Sequence, residues 1–522
     1  MHMEEKDLSF YERIEDLRQR KAKLMLGGGQ DKIDRQHASG KLTARERLAL
    51  LFDEGTFVEY NIFARPRATA LGMDKVWAPG DGVVTGYGKI NGRGAFAYAH
   101  DFTVLGGAAG EMQNTKIKRV TDLAYQNRVP VIALFDSAGG RIQEGGDDAS
   151  GYLYYNNVRN SGVIPQFSAI MGPCAGSGVY APVLTDFLFT VNGSCSAYLT
   201  GPKAIEKATG EKIDTQSLGG AMVHCSKSGF SHFFCTDDAD CIAKIKRLLS
   251  FFPQNCDEMP PVLPCTDDVN RRCENLNTIV PEDKKKAYDM KEVIRTIADN
   301  GDFFESMELF APNMITGFIR LGGYPVGVVA NQPRFMAGCL DINASDKAAR
   351  FIRVCDCFNI PLLSLVDAPG YLPGTAQEHN GIIRHGGKML YAWCEATVPI
   401  LSVATHKVYG GAKSGMCNIQ MEPDYRVAWP SAERAIMAAE GAVNIIYKKE
   451  IAASDDPEAT RQKYIDEYNN EFMRGPYKLA GRMRYDDIIE PADTRRLLCA
   501  AVAMLWGKKK ERPHKKHGNI PL

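Results

Sequence analysis

The chain has 522 residues, with 63 Lys plus Arg against 63 Asp plus Glu, so it is long enough for two or more cores. Its balanced charge excludes a global bias toward nucleic acid or an anionic membrane surface, and any anionic ligand must be held locally. The longest apolar runs, such as VPVIALF at 129–135, fall well short of the roughly 18 residues of a membrane span, and the acidic N-terminus has no signal-peptide pattern, so a cytoplasmic location is expected.

In chain order, EMQNTKIKRVTDLAYQN (111–127) sets Ile117, Val120, Leu123 and Ala124 at helical spacing, and the apolar run VPVIALF (129–135) follows as a strand. That strand ends in the glycine turn DSAGGR (136–141). VIPQFSAIMGPCAGSG (163–178) then gives a second strand and a second glycine turn. The Pro-rich, charged stretch 253–286 reads as a join between domains. Beyond it the first half recurs: IPLLSLVDAPGY (360–371) matches VPVIALFDSAGG (129–140), and Asp136 and Asp367 differ by 367 − 136 = 231. The same offset pairs Gly86 with Gly317, Lys116 with Lys347, Arg119 with Arg350 and Pro130 with Pro361. Further on, 163–178 aligns with 398–413 after a small insertion. A repeat of this length is a whole domain rather than a solenoid unit, so two copies of one α/β fold are expected. Apolar strands without alternation suit a sheet covered on both faces.

The fourteen Cys include no CxxC pair, and Cys339, Cys355 and Cys394 lie in apolar context, as reduced core residues would. HNGIIRH (379–385) puts five residues between its histidines, not the three of a helical zinc motif, so no metal site is expected.

Each copy carries two glycine turns: 136–141 and 173–178 in the first, 367–374 and 408–413 in the second. A glycine turn at a strand end that opens into a helix leaves backbone N–H groups pointing outward, and two such turns side by side could form an oxyanion hole; tight packing is the competing explanation. A nucleotide P-loop is excluded, since GxxxxGK[ST] is absent and GYGKING (86–92) only approximates a dinucleotide motif. Ser177 and Ser414 lack a G-x-S-x-G elbow. Asp136 and Asp367 are candidate general bases, but an Asp at a turn is expected to accept from its own backbone. The chemistry therefore falls to N–H dipoles and to whatever the substrate brings.

The stretches GKLTARERLALLFDEGTF (40–57), DGVVTGYGKINGR (81–93), DFTVLGGAAGE (101–111), ANQPRFMAGCLDINASDKAARFIRVCDCFNIPLL (330–363), DAPGYLPGTAQEHNGIIRHGGKMLYAWCEATVP (367–399) and VAWPSAERAIMAAEGAVNIIY (427–447) resemble the carboxyltransferase subunits of biotin-dependent acyl-CoA enzymes. The likeness covers nearly the whole chain in the family's order. Within the family it is nearest to the carboxyltransferase subunits of transcarboxylases and propionyl-CoA carboxylases.

The resemblance implies two tandem crotonase-like α/β domains, 1–262 on the acyl-CoA side and 270–522 on the biotin side, assembled as a homohexamer. It places the thioester oxyanion hole at Gly139, Gly140 and Gly176, and the hole for the biotin ureido oxygen at Gly370, Gly411 and Ala412, with Lys413 and Ser414 beside the latter. The implied reaction moves a carboxyl group between carboxybiotin on a carrier protein and a short-chain acyl-CoA, with propionyl-CoA and methylmalonyl-CoA favoured and no metal required. The chain has no biotinylation motif of the A-M-K-M type, DMKEV (289–293) not being one. A separate biotin carboxyl carrier protein is therefore implied, together with a biotin carboxylase, a second carboxyltransferase or a membrane decarboxylase subunit.

Other readings stand beside this one: the α subunit of a biotin-dependent decarboxylase of (methyl)malonyl-CoA, a non-catalytic acyl-CoA-binding scaffold, and a biotin-free hydratase using Glu144. The sequence departs from the family pattern at Ala138, Ser177, His379, Asn380, Lys413 and Ser414. Lys413 either pairs with a carboxylate on the acyl chain or reaches solvent.

Overall fold

In a computed structural model that describes residues 9–145, 151–283, 286–473 and 475–522, two eight-stranded sheets repeat one strand order. The first runs Val58–Tyr60, Val83–Ile90, Arg93–His100, Val131–Ser137, Gln166–Ala175, Phe187–Val191, Phe233–Cys235, with Ser196–Tyr198 paired to Gln166–Ala175 off the main path. The second runs Phe304–Ser306, Met314–Leu321, Tyr324–Asn331, Leu362–Ala368, Ile400–Tyr409, Tyr425–Ala428, Asp487–Ile488, with Glu433–Ala435 paired to Ile400–Tyr409. The chain divides into two compact units, Met1–Ser250 with Gln254–Cys256, and Phe251–Pro253 with Asp257–Leu522. The join expected at 253–286 includes residues 284 and 285, which lie outside the described residues.

The helix expected over 111–127 spans Glu111–Asn127, and its counterpart is Ile342–Cys357. The two glycine-turn strands are buried along their whole length, Val131–Ser137 and Leu362–Ala368 alike, as the apolar runs require. Both strands begin one residue after a proline, which has no N–H to give to the ladder. The proline carbonyls are used instead: Pro130 O accepts from Phe96 N (3.0 Å) and Pro361 O from Gly327 N (2.8 Å).

The same device corrects the alignment of the second turns. Val131 N donates to Pro165 O and Leu362 N to Pro399 O, and Val131 pairs with Gln166 as Leu362 pairs with Ile400. The offset there is 400 − 166 = 234, one less than the pairing of 163–178 with 398–413 requires. Gly176 therefore corresponds to Gly410 rather than Gly411.

The cysteines form no disulfide among the described residues, with Cys355 buried and Cys339 half-buried, but Cys394 is exposed rather than part of the core. It sits on the helix Ile382–Glu395, whose buried face is carried by Ile382, Gly386, Met389, Ala392 and Trp393. No described helix is long and apolar enough to cross a membrane.

Candidate functional site

In the first unit the turn after Val131–Ser137 is pinned on both flanks. Ala138 N donates to Gly106 O (2.9 Å), Ala109 N donates to Gly139 O (2.8 Å) and Arg141 N donates to Ala109 O (2.9 Å). Between these bonds the N–H of Gly140 has no acceptor among the described residues. Gly139 has φ +107°, a conformation that favours glycine. Gly176, φ +67°, follows the strand Gln166–Ala175, and the parallel pairing of Ala175 with Tyr198 turns its N–H toward the Tyr198 carbonyl. A Cβ added at Gly139, Gly140, Gly176 or Gly178 would meet no atom within 4 Å. The four glycines face a cavity of about 250 Å³, which His100, Phe135, Leu153, Tyr154 and Cys174 also line.

Two groups of the cavity wall, the Cys174 thiol and the His100 imidazole, are held neutral. Burial pushes the Cys174 thiol up to about 12. It pushes the His100 imidazole down to about 4, against the opposing pull of Asp136, and leaves His100 Nδ1 buried without a partner among the described residues.

Asp136 does not accept from its own turn, as the sequence had suggested. Its carboxylate is completely buried and accepts from Lys41 Nζ (2.9 and 3.0 Å), Arg47 Nη1 (2.9 Å) and Gln36 Nε2 (3.0 Å). Arg47 also donates from Nε to Asp238 (2.7 Å) and from Nη2 to the Met171 carbonyl (3.2 Å). Two cations compensate this buried carboxylate, so it braces the strand end rather than abstracting a proton. Glu144 is engaged elsewhere, accepting from Glu111 N (2.9 Å) at the start of a helix and from Arg141 Nη1 (2.6 Å).

The second unit repeats the frame. Leu340 N donates to Gly370 O (3.0 Å) and Leu372 N to Leu340 O (2.8 Å), so the bridge between Ala109 and Gly140 recurs between Leu340 and Tyr371. Where the first unit has Gly140, the second has an aromatic ring. A Cβ on Gly415 or Gly386 would lie 2.9 or 3.0 Å from the Tyr371 hydroxyl, and one on Gly411 would lie 3.5 Å from the ring. Burial raises the hydroxyl to about 12. Tyr371 thus walls off the space that is open in the first unit, and only the register of the two bridges identifies it.

Gly410 N donates to Ala435 O (3.1 Å), while the N–H of Gly411 has no acceptor among the described residues. Lys413 points to a separate small cavity beside Arg434, and Ser414 Oγ exchanges hydrogen bonds with Gln420 and Asn418. Asp367 is also buried; it accepts from Lys407 N (3.1 Å), a neighbouring strand's backbone rather than its own turn, and lies 3.5 Å from His406 Nδ1.

The two units thus set their glycine turns on the same frame, with the Gly140 N–H open to a cavity in the first and the Gly411 N–H beside the Tyr371 ring in the second. Comparison with known proteins places this arrangement in context. Residues 35–520 match the carboxyl transferase domain family. The chain is 51% identical over 512 residues to the methylmalonyl-CoA decarboxylase subunit alpha of Propionigenium modestum, covering 98% of this chain and 99% of that protein. It is 50% identical over 517 residues to the propionyl-CoA carboxylase carboxyltransferase subunit of Haloferax mediterranei, covering 99% and 100%. Among solved structures it resembles transcarboxylase 12S, a hexamer crystallised with methylmalonyl-coenzyme A and methylmalonic acid bound, at 48% identity and a TM-score of 0.96 over the full length of both chains.

Proposed function

Because this chain belongs to the carboxyl transferase domain family, we propose that it moves a carboxyl group between a short-chain acyl-CoA, methylmalonyl-CoA or propionyl-CoA, and biotin on a separate carrier protein. The observation that carries this is the free N–H of Gly140 facing a cavity that Gly176 and Gly178 also line and whose imidazole and thiol are both held neutral. Such a cavity can stabilise an anion without itself supplying an acid or base. An acyl-CoA that loses its α-proton or α-carboxylate becomes an enolate, with charge on the thioester oxygen. Fixed N–H donors aimed at that oxygen lower the barrier by roughly 3 to 4 kcal/mol each in comparable holes.

The second turn fits the ureido ring of biotin, a flat neutral group with one strong acceptor oxygen. Gly411 offers a free donor to that oxygen, Ala412 at the start of the following helix lies next to it, and the Tyr371 ring gives a flat wall beside Gly411. Biotin supplies a nitrogen that carries the carboxyl group and can shuttle the α-proton. The chain's own part is to hold the ureido oxygen, orient the thioester and keep water from the enolate. The relatives named above support the acyl-CoA assignment, and the hexameric 12S structure supports assembly as a homohexamer.

Carboxylase, transcarboxylase and decarboxylase cycles share this half-reaction, and relatives of comparable identity come from the carboxylase and decarboxylase groups. The test is a panel of acyl-CoAs assayed for carboxyl transfer to and from free biotin. Transfer with methylmalonyl-CoA and propionyl-CoA is expected, and its absence from the whole panel would leave only an acyl-CoA-binding scaffold.

A further inference from the structure

Four cationic side chains converge on one small cavity of the second unit. Lys413 reaches it from the short helix Ala412–Gly415, Arg426 from the strand Tyr425–Ala428, Arg434 from Glu433–Ala435, and Arg484 from the exposed segment before Tyr485. The four charges are poorly compensated. Arg426 Nη2 lies 3.1 Å from Asp486, but its Nε and Nη1 are buried with no acceptor among the described residues. Lys413, Arg434 and Arg484 have no carboxylate within ion-pair distance among the described residues. Burial pushes the Lys413 ammonium down from its ordinary value, and the neighbouring Arg434 charge pushes the same way.

Like charges gathered around a partly buried space repel unless an anion joins them. The cavity holds about 20 Å³, room for one water-sized group and its immediate substituents rather than for a nucleotide. Guanidinium groups present paired donors that match planar or tetrahedral oxyanions.

We propose that this cavity binds a small oxyanion, held by Arg434, Arg484, Lys413 and the free Nε and Nη1 of Arg426. Free inorganic oxyanions and the carboxylate of a small organic acid share this chemistry. Neither Gly411 nor Ala412 lines this cavity, and the proposal does not depend on the carboxyl-transfer assignment.

The test uses the whole chain in a buffer free of oxyanions, with chloride, bicarbonate, inorganic phosphate and malonate added at matched ionic strength. Thermal unfolding and calorimetry are read for the parent protein, Arg434→Gln and Arg484→Gln. At least one oxyanion should raise the unfolding midpoint beyond the chloride control, and each variant should bind that anion at least tenfold more weakly. Which anion does so separates the inorganic source from the organic one. In the oxyanion-free buffer, Arg434→Gln should unfold at a higher temperature than the parent, because it removes an uncompensated charge; loss of a structural contact would give the opposite sign. The proposal fails if no oxyanion exceeds chloride, if both variants keep the parent's affinity, or if Arg434→Gln is destabilised without added anion.

Discussion

Lys116 and Lys347 hold the same place in the two units, and each drives its ammonium into the same row of backbone carbonyls. Lys116 Nζ donates to Gly80 O (2.8 Å) and Val83 O (2.5 Å). Lys347 Nζ donates to Ala311 O (3.4 Å) and Met314 O (2.6 Å), the residues 231 further on, and also to Met307 O and Phe310 O (both 2.8 Å). Both lysines are 2% exposed, and burial lowers them to about 8 and about 7 respectively. Each fastens its helix, Glu111–Asn127 or Ile342–Cys357, to the start of a sheet strand.

Replacing either lysine by methionine keeps the bulk but orphans the carbonyls, at about 1 to 3 kcal/mol for each buried group left unpaired. Lys347→Met should therefore lower the urea midpoint more than Lys116→Met, since four carbonyls depend on it rather than two. Equal midpoints for the two variants would refute this.

Deleting one donor at a time separates the two holes. Gly411 has φ −69° and ψ −26°, an angle that proline adopts without strain, so Gly411→Pro removes the N–H while keeping the turn. Transfer involving biotin should fall by about 10² to 10³ in kcat, with acyl-CoA affinity by calorimetry close to the parent. Gly140→Pro should give the reverse pattern, slowing exchange of the acyl-CoA α-proton. A Gly411→Pro protein that loses acyl-CoA binding would contradict the assignment of the two turns to different substrates.

Tyr371 is the side chain that distinguishes the turn of the second unit from that of the first. Tyr371→Gly should open a cavity beside Gly411 and Gly415 and raise KM for free biotin at least tenfold, while Tyr371→Phe, which keeps the ring, should change KM little. If Tyr371→Gly left KM for biotin unchanged, the ring would have no part in holding that substrate.

His100 gives the stability a defined acid limb. Its folded value is about 4 against an ordinary 6.5, so between these values the unfolded chain takes up a proton that the folded chain refuses. The contribution is full above about pH 6.5 and is lost as pH falls toward 4. His100→Asn should flatten the fall in urea midpoint across that window, and an undiminished slope would show that other groups carry it.

The 231-residue register was legible because it is written in residues that the fold uses directly. Lys116, Pro130 and Asp136 each fill a backbone-satisfying or buried role, and each recurs. The second-turn alignment was misplaced by one residue because apolar strand residues resemble one another at neighbouring registers; the ladder bonds to Pro165 O and Pro399 O fix it. The partners of Asp136 were not legible at all, since Lys41 and Arg47 stand 95 and 89 residues away and no local pattern links them. Tyr371 escaped for a related reason: beside glycines in a turn its ring suggests surface, and only its match to Gly140 reveals it as a wall.

The buried carboxylate of Asp136 gives the segment around Gln36, Lys41 and Arg47 a role out of keeping with its place near the start of the chain. These residues are remote in sequence from the Gly139–Gly140 turn, yet they hold the strand from which it springs. A trimmed version that begins after residue 47 would keep every glycine of the hole and lose its foundation. Limited proteolysis in this segment therefore reports on the integrity of the cavity beside Gly140, and an acyl-CoA bound there, as proposed, would slow cleavage without touching the cut site.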